Sequence, residues 1–213
     1  TYLAWDREVL EECYDQVDGI SLHAYYGNTS ALTGNSTARY LAMNLDMDRH
    51  IHETAAVCDY VQGLRRSSKR LWLSFDEWNV WYRARGREAT DGRRTQAPKL
   101  LEEVYNLEDA LVVAQWLNVF LRKSNVLKVA CVAQIVNIIS WLQTRRDGLL
   151  VQTSFYPFKL VSNLARGNAL DVLTKAPMVE TPKYGGVSAL DVSASHDPAT
   201  GKQAIFIVNR SQT

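Results

Sequence analysis

The stretch 71–82, which reads LWLSFDEWNVWY, constrains the fold of this chain more than any other. Apolar side chains recur at every second position through Leu73 and Phe75, which is typical of a half-buried β-strand. The strand ends on two acids, Asp76 and Glu77, and aromatic residues surround them. Period two predicts that Glu77 shares the face of Leu73 and Phe75, and that Asp76 lies on the opposite face. The pattern favours a catalytic or binding site; the alternative is that the acids cap the next loop and the aromatics are core.

The segments on either side alternate between helical and strand patterns. Apolar residues at helical spacing predict helices over 2–14, 37–66, 107–122 and 154–166. Short apolar runs predict strands over 20–26, 71–82 and 127–139. Polar loops are predicted over 83–98 and 141–152. This alternation, with crossovers long enough for parallel pairing, is typical of a parallel α/β protein.

Beyond Gly167 the pattern changes to short β-like runs over 170–173, 187–195 and 203–209. The intervening sequence HDPATGK predicts a hairpin turn. We therefore expect an α/β unit over 1–167 and the start of an antiparallel β domain over 168–213. Three short strands are fewer than the ~7 of a complete sandwich, so the sequence is expected to be a piece of a longer protein.

Composition excludes several classes of function. Lys and Arg number 24 against 23 Asp and Glu, a net charge of +1, so no field attracts nucleic acid or an anionic membrane. No apolar run approaches the ~20 residues of a membrane helix. Cys13, Cys58 and Cys131 are scattered among apolar residues, and we expect three reduced core thiols. The four histidines have no metal-binding spacing, so neither a metal nor a cofactor is expected.

Polar residues occur near the ends of all three predicted strands. In parallel α/β folds, ligands bind at the carboxyl ends of the strands. The first strand carries His23 and Tyr25, on one face with Ser21, the second ends on Glu77, and the third holds Gln134 and Asn137. Each alone is compatible with a satisfied core residue. Together they predict one site.

Glu77 has the character of a retaining glycosidase nucleophile, which needs a second carboxyl about 5 to 5.5 Å away as acid and base. Asp76 cannot be that partner if it points to the opposite face. The other acids near this part of the chain precede or begin the next helix, so the carboxylate pair is expected to be incomplete. A tyrosine hydroxyl and an amide that donate to Glu77 would keep it ionised and oriented.

Several long motifs resemble the α-L-arabinofuranosidases of glycoside hydrolase family 51. In order along the chain they are ISLHAYYGN, ARYLAMNLDMDRHI, FDEWNVWY, YNLEDALVVAQWLNVFLR, VACVAQIVNII and SFYPFKLVS. The resemblance covers residues 18–167 and extends weakly into the tail. After Asn137, the sequence IISWLQTRRDG departs from a segment that usually contains proline in the family.

The resemblance implies strands six to eight of a (β/α)8 TIM barrel, followed by the start of a β-sandwich. It implies a retaining enzyme that releases terminal arabinofuranose from arabinan, arabinoxylan or related oligosaccharides. By motif, Glu77 is the nucleophile, and His23 and Tyr25 fill the family's His-x-Tyr pattern. Trp81 forms part of the sugar pocket wall, and Gln134 is the amide near the nucleophile.

The family's acid/base glutamate follows an asparagine on the fourth barrel strand, and no Asn-Glu pair occurs in these 213 residues. We therefore expect this chain alone to be inactive. The expected partner is an arabinose-containing oligo- or polysaccharide, without nucleic acid or membrane. A homo-oligomer is expected at full length, and the expected location is cytoplasmic.

Three alternatives stay open at this point. A related retaining barrel enzyme, such as an endoglucanase or xylanase, would share Glu77 but differ in its pocket loops. A non-catalytic carbohydrate-binding module would use Trp78, Trp81 and Tyr82 as a stacking platform. A scaffold or assembly fragment would use exposed sheet edges for pairing.

Overall fold

The structure is a computed structural model that describes residues 2–82 and 101–212; the whole of the predicted loop over 83–98 lies outside these ranges. The helices are α1 Tyr2–Cys13, α2 Ser30–Thr33, α3 Thr37–Tyr40, α4 Asn44–Arg65, α5 Leu107–Arg122 and α6 Phe155–Leu164. The first strands are β1 Gly19–Tyr26, β2 Trp72–Val80, β3 Leu127–Val132, β4 Leu142–Arg145 and β5 Gly148–Val151. The last are β6 Asn168–Leu170, β7 Met178–Thr181, β8 Gly185–Ser188, β9 Leu190–Asp197 and β10 Lys202–Asn209.

The first half is a parallel α/β unit, as the alternating pattern predicts. Strands β1, β2 and β3 form one parallel sheet with β2 in the centre. The chain crosses from β1 to β2 through α4, and from β2 to β3 through α5. The helix predicted over 37–66 is interrupted, because the chain makes a short turn between α3 and α4. Phe75 and Trp78 of β2 are fully buried and pack their rings against Phe120 of α5.

Strand β2 contains a β-bulge at the acidic pair. Ser21 of β1 pairs with Ser74 of β2. Two residues later on β1, His23 pairs with Glu77, three residues later on β2, and not with Asp76. The register on the β3 side also shifts, since β2 advances from Phe75 to Trp78 while β3 advances by two residues. The extra residue moves the alternation by one position: Phe75 and Trp78 are both buried, and Asp76 and Glu77 lie outside the core.

The prediction that the two acids point to opposite faces is therefore wrong. An unbroken period of two would bury one of them with Leu73 and Phe75. With one residue inserted, the buried positions of β2 are Leu73, Phe75 and Trp78. Both carboxylates remain outside the core at the carboxyl end of the strand.

Strand β3 is shorter than its apolar run predicts. Residues beyond Val132 leave the sheet, and the backbone has positive φ at Asn137 and Ile139, a conformation incompatible with an extended strand. The buried amide of Asn79 donates to the carbonyls of Ala133 and Ile139 and fixes this irregular segment. The predicted loop over 141–152 is instead the hairpin of β4 and β5.

The tail has more strands than its pattern predicts. Strands β10, β9 and β6 form an antiparallel sheet, and β7 pairs with β8. The HDPATGK turn joins β9 to β10 as predicted; Asp197 closes it by accepting from the Ala199 N–H and the Thr200 hydroxyl. The run predicted over 187–195 is divided at Ala189, whose N–H donates to the Pro177 carbonyl.

The three cysteines are free, but they do not share one environment. Cys58 is buried, and burial raises the pKa of its thiol to about 11. Cys13 is half-buried and donates to the Val9 carbonyl. Cys131 is exposed, so the prediction that all three are core residues is wrong for this one. Among the described helices, none combines the length and apolar character needed to cross a membrane.

Candidate active site

The carboxyl ends of β1 and β2 bring His23, Tyr25 and Glu77 together. The parallel register sets His23 beside Glu77, and Tyr25 lies two residues further along β1. The Tyr25 hydroxyl donates to Glu77 Oε2 at 2.7 Å. Burial, and then this hydrogen bond to a carboxylate, raises the pKa of Tyr25 well above its ordinary value. The phenol therefore stays protonated at neutral pH and acts as a donor to Glu77.

His23 lies between the two carboxylates. Its Nδ1 is 3.5 Å from Glu77 Oε2, and its Nε2 is 3.2 Å from Asp76 Oδ1. Ser21 precedes His23 by two residues on β1, and its hydroxyl donates to the same Asp76 oxygen at 2.5 Å. The side chains form a continuous polar row from Ser21 through Asp76 and His23 to Glu77 and Tyr25.

The acidic end of this row is open to solvent. The side chains of Glu77, Asp76 and His23 retain 47%, 43% and 49% of their exposure. A solute can therefore reach all three side chains. An exposed site of this kind can bind a sugar, but water screens its ion pairs.

Trp81 lies beside the row, whereas Trp78 lies inside the core. The Trp81 ring meets the ring of Tyr25 edge to face, with centroids 5.3 Å apart. Trp78 is fully buried and packs on Trp116 and Trp141. Because Trp78 is inaccessible, the stacking platform that would define a carbohydrate-binding module cannot form from Trp78, Trp81 and Tyr82 together.

Gln134 follows the end of β3 and is exposed. Its neighbour Ala133 is anchored by an N–H bond to the Trp78 carbonyl. Within residues 2–82 and 101–212, no hydrogen bond joins the Gln134 amide to Glu77. Asn137, the second polar residue of that run, bonds to Thr144 of the β4–β5 hairpin, so it fixes a loop.

A buried carboxylate supports the segments that follow β1 and β2. Asp109, in the first turn of α5, accepts hydrogen bonds from the hydroxyls of Tyr82 at 2.6 Å and Tyr40 at 2.9 Å. Burial raises the pKa of Asp109, while these bonds and the Asn106 N–H oppose the shift. The pattern of acids predicted only a favourable helix start here. The two tyrosines come from distant segments, and no local signal indicates that they meet.

Glu108, the neighbouring acid, holds the loop after β1. It accepts from the Asn28 amide at 2.9 Å and from the hydroxyl of Thr37. Asn28 in turn accepts from the Thr33 hydroxyl. The first turn of α5 therefore fixes both segments that border the polar row. Over the described residues, no group of three or more His, Cys, Asp or Glu side chains has an arrangement that could hold a metal ion.

Comparison with known proteins places these features in a family. Residues 76–211 match the model of the α-L-arabinofuranosidase C-terminal domain. The chain is 39% identical over 214 aligned residues to a protein of Halalkalibacterium halodurans named intracellular exo-α-(1→5)-L-arabinofuranosidase. It is 35% identical over 218 aligned residues to a Bifidobacterium longum protein named exo-α-(1→6)-L-arabinofuranosidase.

The alignments cover nearly all of this chain and less than half of each relative. They span 100% and 99% of the chain, but 42% and 41% of the two relatives. A solved structure of a family 51 α-L-arabinofuranosidase from Bifidobacterium longum superposes with a TM-score of 0.88 at 29% identity. That superposition covers 98% of this chain and 43% of the solved one.

Proposed function

The chain belongs to the α-L-arabinofuranosidases of glycoside hydrolase family 51, and on this premise we propose that it carries the nucleophile of a retaining glycosidase. The proposed reaction releases terminal α-L-arabinofuranosyl residues from arabinan, arabinoxylan or related oligosaccharides. The observation that supports it most directly is the 2.7 Å hydrogen bond from Tyr25 to Glu77 at the carboxyl end of β2. A protonated phenol on one carboxylate oxygen orients the group and favours its ionised form.

In the proposed first step, Glu77 attacks the anomeric carbon of the arabinofuranosyl unit. A bond forms between a Glu77 oxygen and that carbon, and the glycosidic oxygen leaves with a proton from a general acid. In the second step, water attacks the same carbon and gives a proton to the residue that served as general acid, which now acts as base. The bond between Glu77 and the sugar breaks, and Glu77 is free again. His23 and Tyr25 hold Glu77, while Trp81 borders the sugar pocket. Gln134 is proposed as a substrate-binding amide, which its exposure allows.

The proposed acid/base lies in an Asn-Glu pair that these 213 residues do not contain. Asp76 shares the open face with Glu77, but its Oδ1 already accepts from the Ser21 hydroxyl and lies 3.2 Å from His23 Nε2. We therefore propose that the chain alone turns over an aryl arabinofuranoside roughly 10² to 10⁴-fold more slowly than a protein that includes the acid/base. Equal turnover by the two would contradict the proposed division of the carboxylate pair.

The proposed architecture follows from the same membership. We propose that β1, β2 and β3 correspond to strands six to eight of a (β/α)8 barrel, with residues 1–167 as its last part. Residues 168–213 are then the beginning of a β-sandwich. The parallel order of β1 to β3 and the superposition at a TM-score of 0.88 support this assignment.

The relatives guide what is proposed about location and specificity. The Halalkalibacterium protein is named intracellular, and on that similarity we propose a cytoplasmic location. The two relatives carry different linkages in their names, (1→5) and (1→6), so no linkage is assigned to this chain. A homo-oligomer at full length is also proposed.

Covalent trapping tests the proposed nucleophile. A mechanism-based arabinofuranosyl inactivator, incubated with the full-length protein, is expected to add one sugar mass to the peptide that contains Glu77. The variant Glu77→Ala should show no label, while the control Glu12→Ala, which changes an exposed carboxylate on α1, should label at the wild-type rate. Label on another residue of the wild-type protein would refute the assignment. Testing xylo- and gluco-configured analogues alongside separates this function from the xylanase and endoglucanase alternative.

A further inference from the structure

We propose that Asp76 is a positioning residue, which holds His23 by one ring nitrogen so that the other ring nitrogen faces Glu77. The inference deepens the proposed function, because it rests on Glu77 being the nucleophile. It assigns a role to Asp76, the acid that a uniform period of two places on the face opposite to Glu77. The first support is the β-bulge, which leaves Asp76 and Glu77 within reach of one imidazole ring.

The contacts of His23 define what the ring must do. A ring nitrogen that carries a hydrogen can donate it to a carboxylate oxygen. Nε2 faces Asp76 Oδ1 at 3.2 Å, and Nδ1 faces Glu77 Oε2 at 3.5 Å. These distances set the ring between the two carboxylates, with Nε2 on the Asp76 side and Nδ1 on the Glu77 side.

Ser21 holds Asp76 in this position. Its hydroxyl donates to Asp76 Oδ1 at 2.5 Å, and the same hydroxyl oxygen is 3.2 Å from His23 Nε2. Three groups of β1 and β2 thus meet at one point, and all three stand on the open face of the sheet. The orientation of the His23 ring is set from the side opposite to Glu77.

The arrangement also selects which oxygen of Glu77 attacks. The Tyr25 hydroxyl and His23 Nδ1 both approach Oε2, at 2.7 Å and 3.5 Å. From the described residues, Oε1 of Glu77 receives no hydrogen bond. We infer that Oε1 forms the bond to the anomeric carbon, while Oε2 remains held.

The variant Asp76→Asn tests this role, because it preserves shape and removes the charge. The exposed Asp147→Asn, in the β4–β5 turn, is the matched control. In the full-length protein, the nitrogen NMR signals of the His23 ring are expected to shift in Asp76→Asn and not in Asp147→Asn. In the full-length protein, the rate of covalent labelling at Glu77 should fall about tenfold or more in Asp76→Asn, as expected when a charge-assisted bond is weakened. Asp76→Glu, which restores the charge, should recover part of that rate.

The outcomes distinguish the positioning role of Asp76 from the proposed role of Glu77 as nucleophile. Wild-type labelling at Glu77, together with unchanged labelling in Asp76→Asn, overturns the positioning role alone. Unchanged His23 nitrogen signals in Asp76→Asn overturn it as well. Absence of any label on wild-type Glu77 overturns the proposed function, and the role of Asp76 with it. Thermal unfolding midpoints of the three variants, equal to wild type within experimental error, establish that the rate changes come from the site.

Discussion

The hydroxyl of Tyr25 makes the shortest contact to Glu77 within the polar row. The variant Tyr25→Phe removes that donor and keeps the ring that packs edge to face on Trp81. A hydrogen bond to a charged group contributes roughly 1.5–3 kcal/mol, so kcat/KM of the full-length protein should fall roughly 10- to 100-fold. Steady-state kinetics on an aryl arabinofuranoside measure this. The exposed Tyr60→Phe on α4 is the control, and a Tyr25→Phe protein as active as this control would show that the bond does not matter.

Asp109 allows a prediction about pH, since burial raises the pKa of its carboxyl in the folded state. A raised folded pKa means that the folded protein holds the proton more tightly than the unfolded chain. The contribution of Asp109 to stability is therefore full below its unfolded pKa and declines as pH rises through the folded value. The hydrogen bond from Tyr82 lowers the folded pKa and limits that decline.

The variant Tyr82→Phe should therefore cost more stability at neutral pH than in acid. Above the folded pKa of Asp109 the lost bond is to an ionised carboxylate, roughly 1.5–3 kcal/mol, whereas in acid it is to a neutral carboxyl, roughly 0.5–1.5 kcal/mol. Urea unfolding of wild type and variant at both pH values measures the difference, with Tyr60→Phe again as the control. An equal cost at the two pH values would contradict an ionised Asp109 held by Tyr82.

At the scale of elements, apolar periodicity predicts where most strands and helices lie but not the register of β2. The extra residue has one sequence signal: the large buried side chains of β2 follow at Leu73, Phe75 and Trp78, a spacing of two and then three. Read with this interval, the bulge falls between Phe75 and Trp78. A uniform period of two hides it and therefore predicts that Asp76 lies on the opposite face.

For the third strand, the apolar pattern predicts the start of β3 correctly but places its end too far along the chain. Its apolar run continues past Val132, but there the chain leaves the sheet: Ile135, Val136 and Ile138 are exposed, and Ile139 is buried. Side-chain hydrogen bonds from a residue about sixty positions earlier determine the path of residues 133–139. Composition within the run carries no information about that partner, so neither the end of β3 nor the β4–β5 hairpin could be predicted from it.

Helix α5 permits a prediction at the same scale, because its start carries a complete capping box. The Asn106 side chain accepts from the Asp109 N–H, and the Asp109 carboxylate accepts from the Asn106 N–H. Asn106→Ala removes the first bond and should lower the free energy of unfolding by roughly 1 kcal/mol. Asn163→Ala near the end of α6, an exposed position, should change it by less than about 0.5 kcal/mol. Chemical denaturation compares the two, and similar values would mean that the cap is unimportant.

At the scale of the whole molecule, a buried charge network joins the two predicted units. Asp191 of β9 accepts from the amides of Asn44 and Asn118 and pairs with Arg122 and Arg210. The four partners come from α4, α5 and the end of the tail. Sequence patterns divide the chain after Gly167, because composition changes there. The contacts across that division join residues far apart in sequence, and no local pattern reveals them.

Asp191→Ala should therefore destabilise the molecule far more than a typical surface change. Arg210 retains 4% of its side-chain exposure, and burial lowers the pKa of its guanidinium while Asp191 opposes that shift. Without Asp191, a buried cation loses its paired anion, which costs roughly 3–5 kcal/mol. Asp197→Ala, in the β9–β10 turn, removes an acid of the same strand outside the network and should cost much less.

Urea unfolding of the two variants measures the costs, and amide hydrogen exchange locates them. If the network couples the units, Asp191→Ala should accelerate exchange in β9 and also in α5, where Asn118 and Arg122 lose their acceptor. Faster exchange confined to β9 would mean that α5 holds its position without the tail. In that case the division after Gly167 separates two independently stable units, and the network only attaches one to the other.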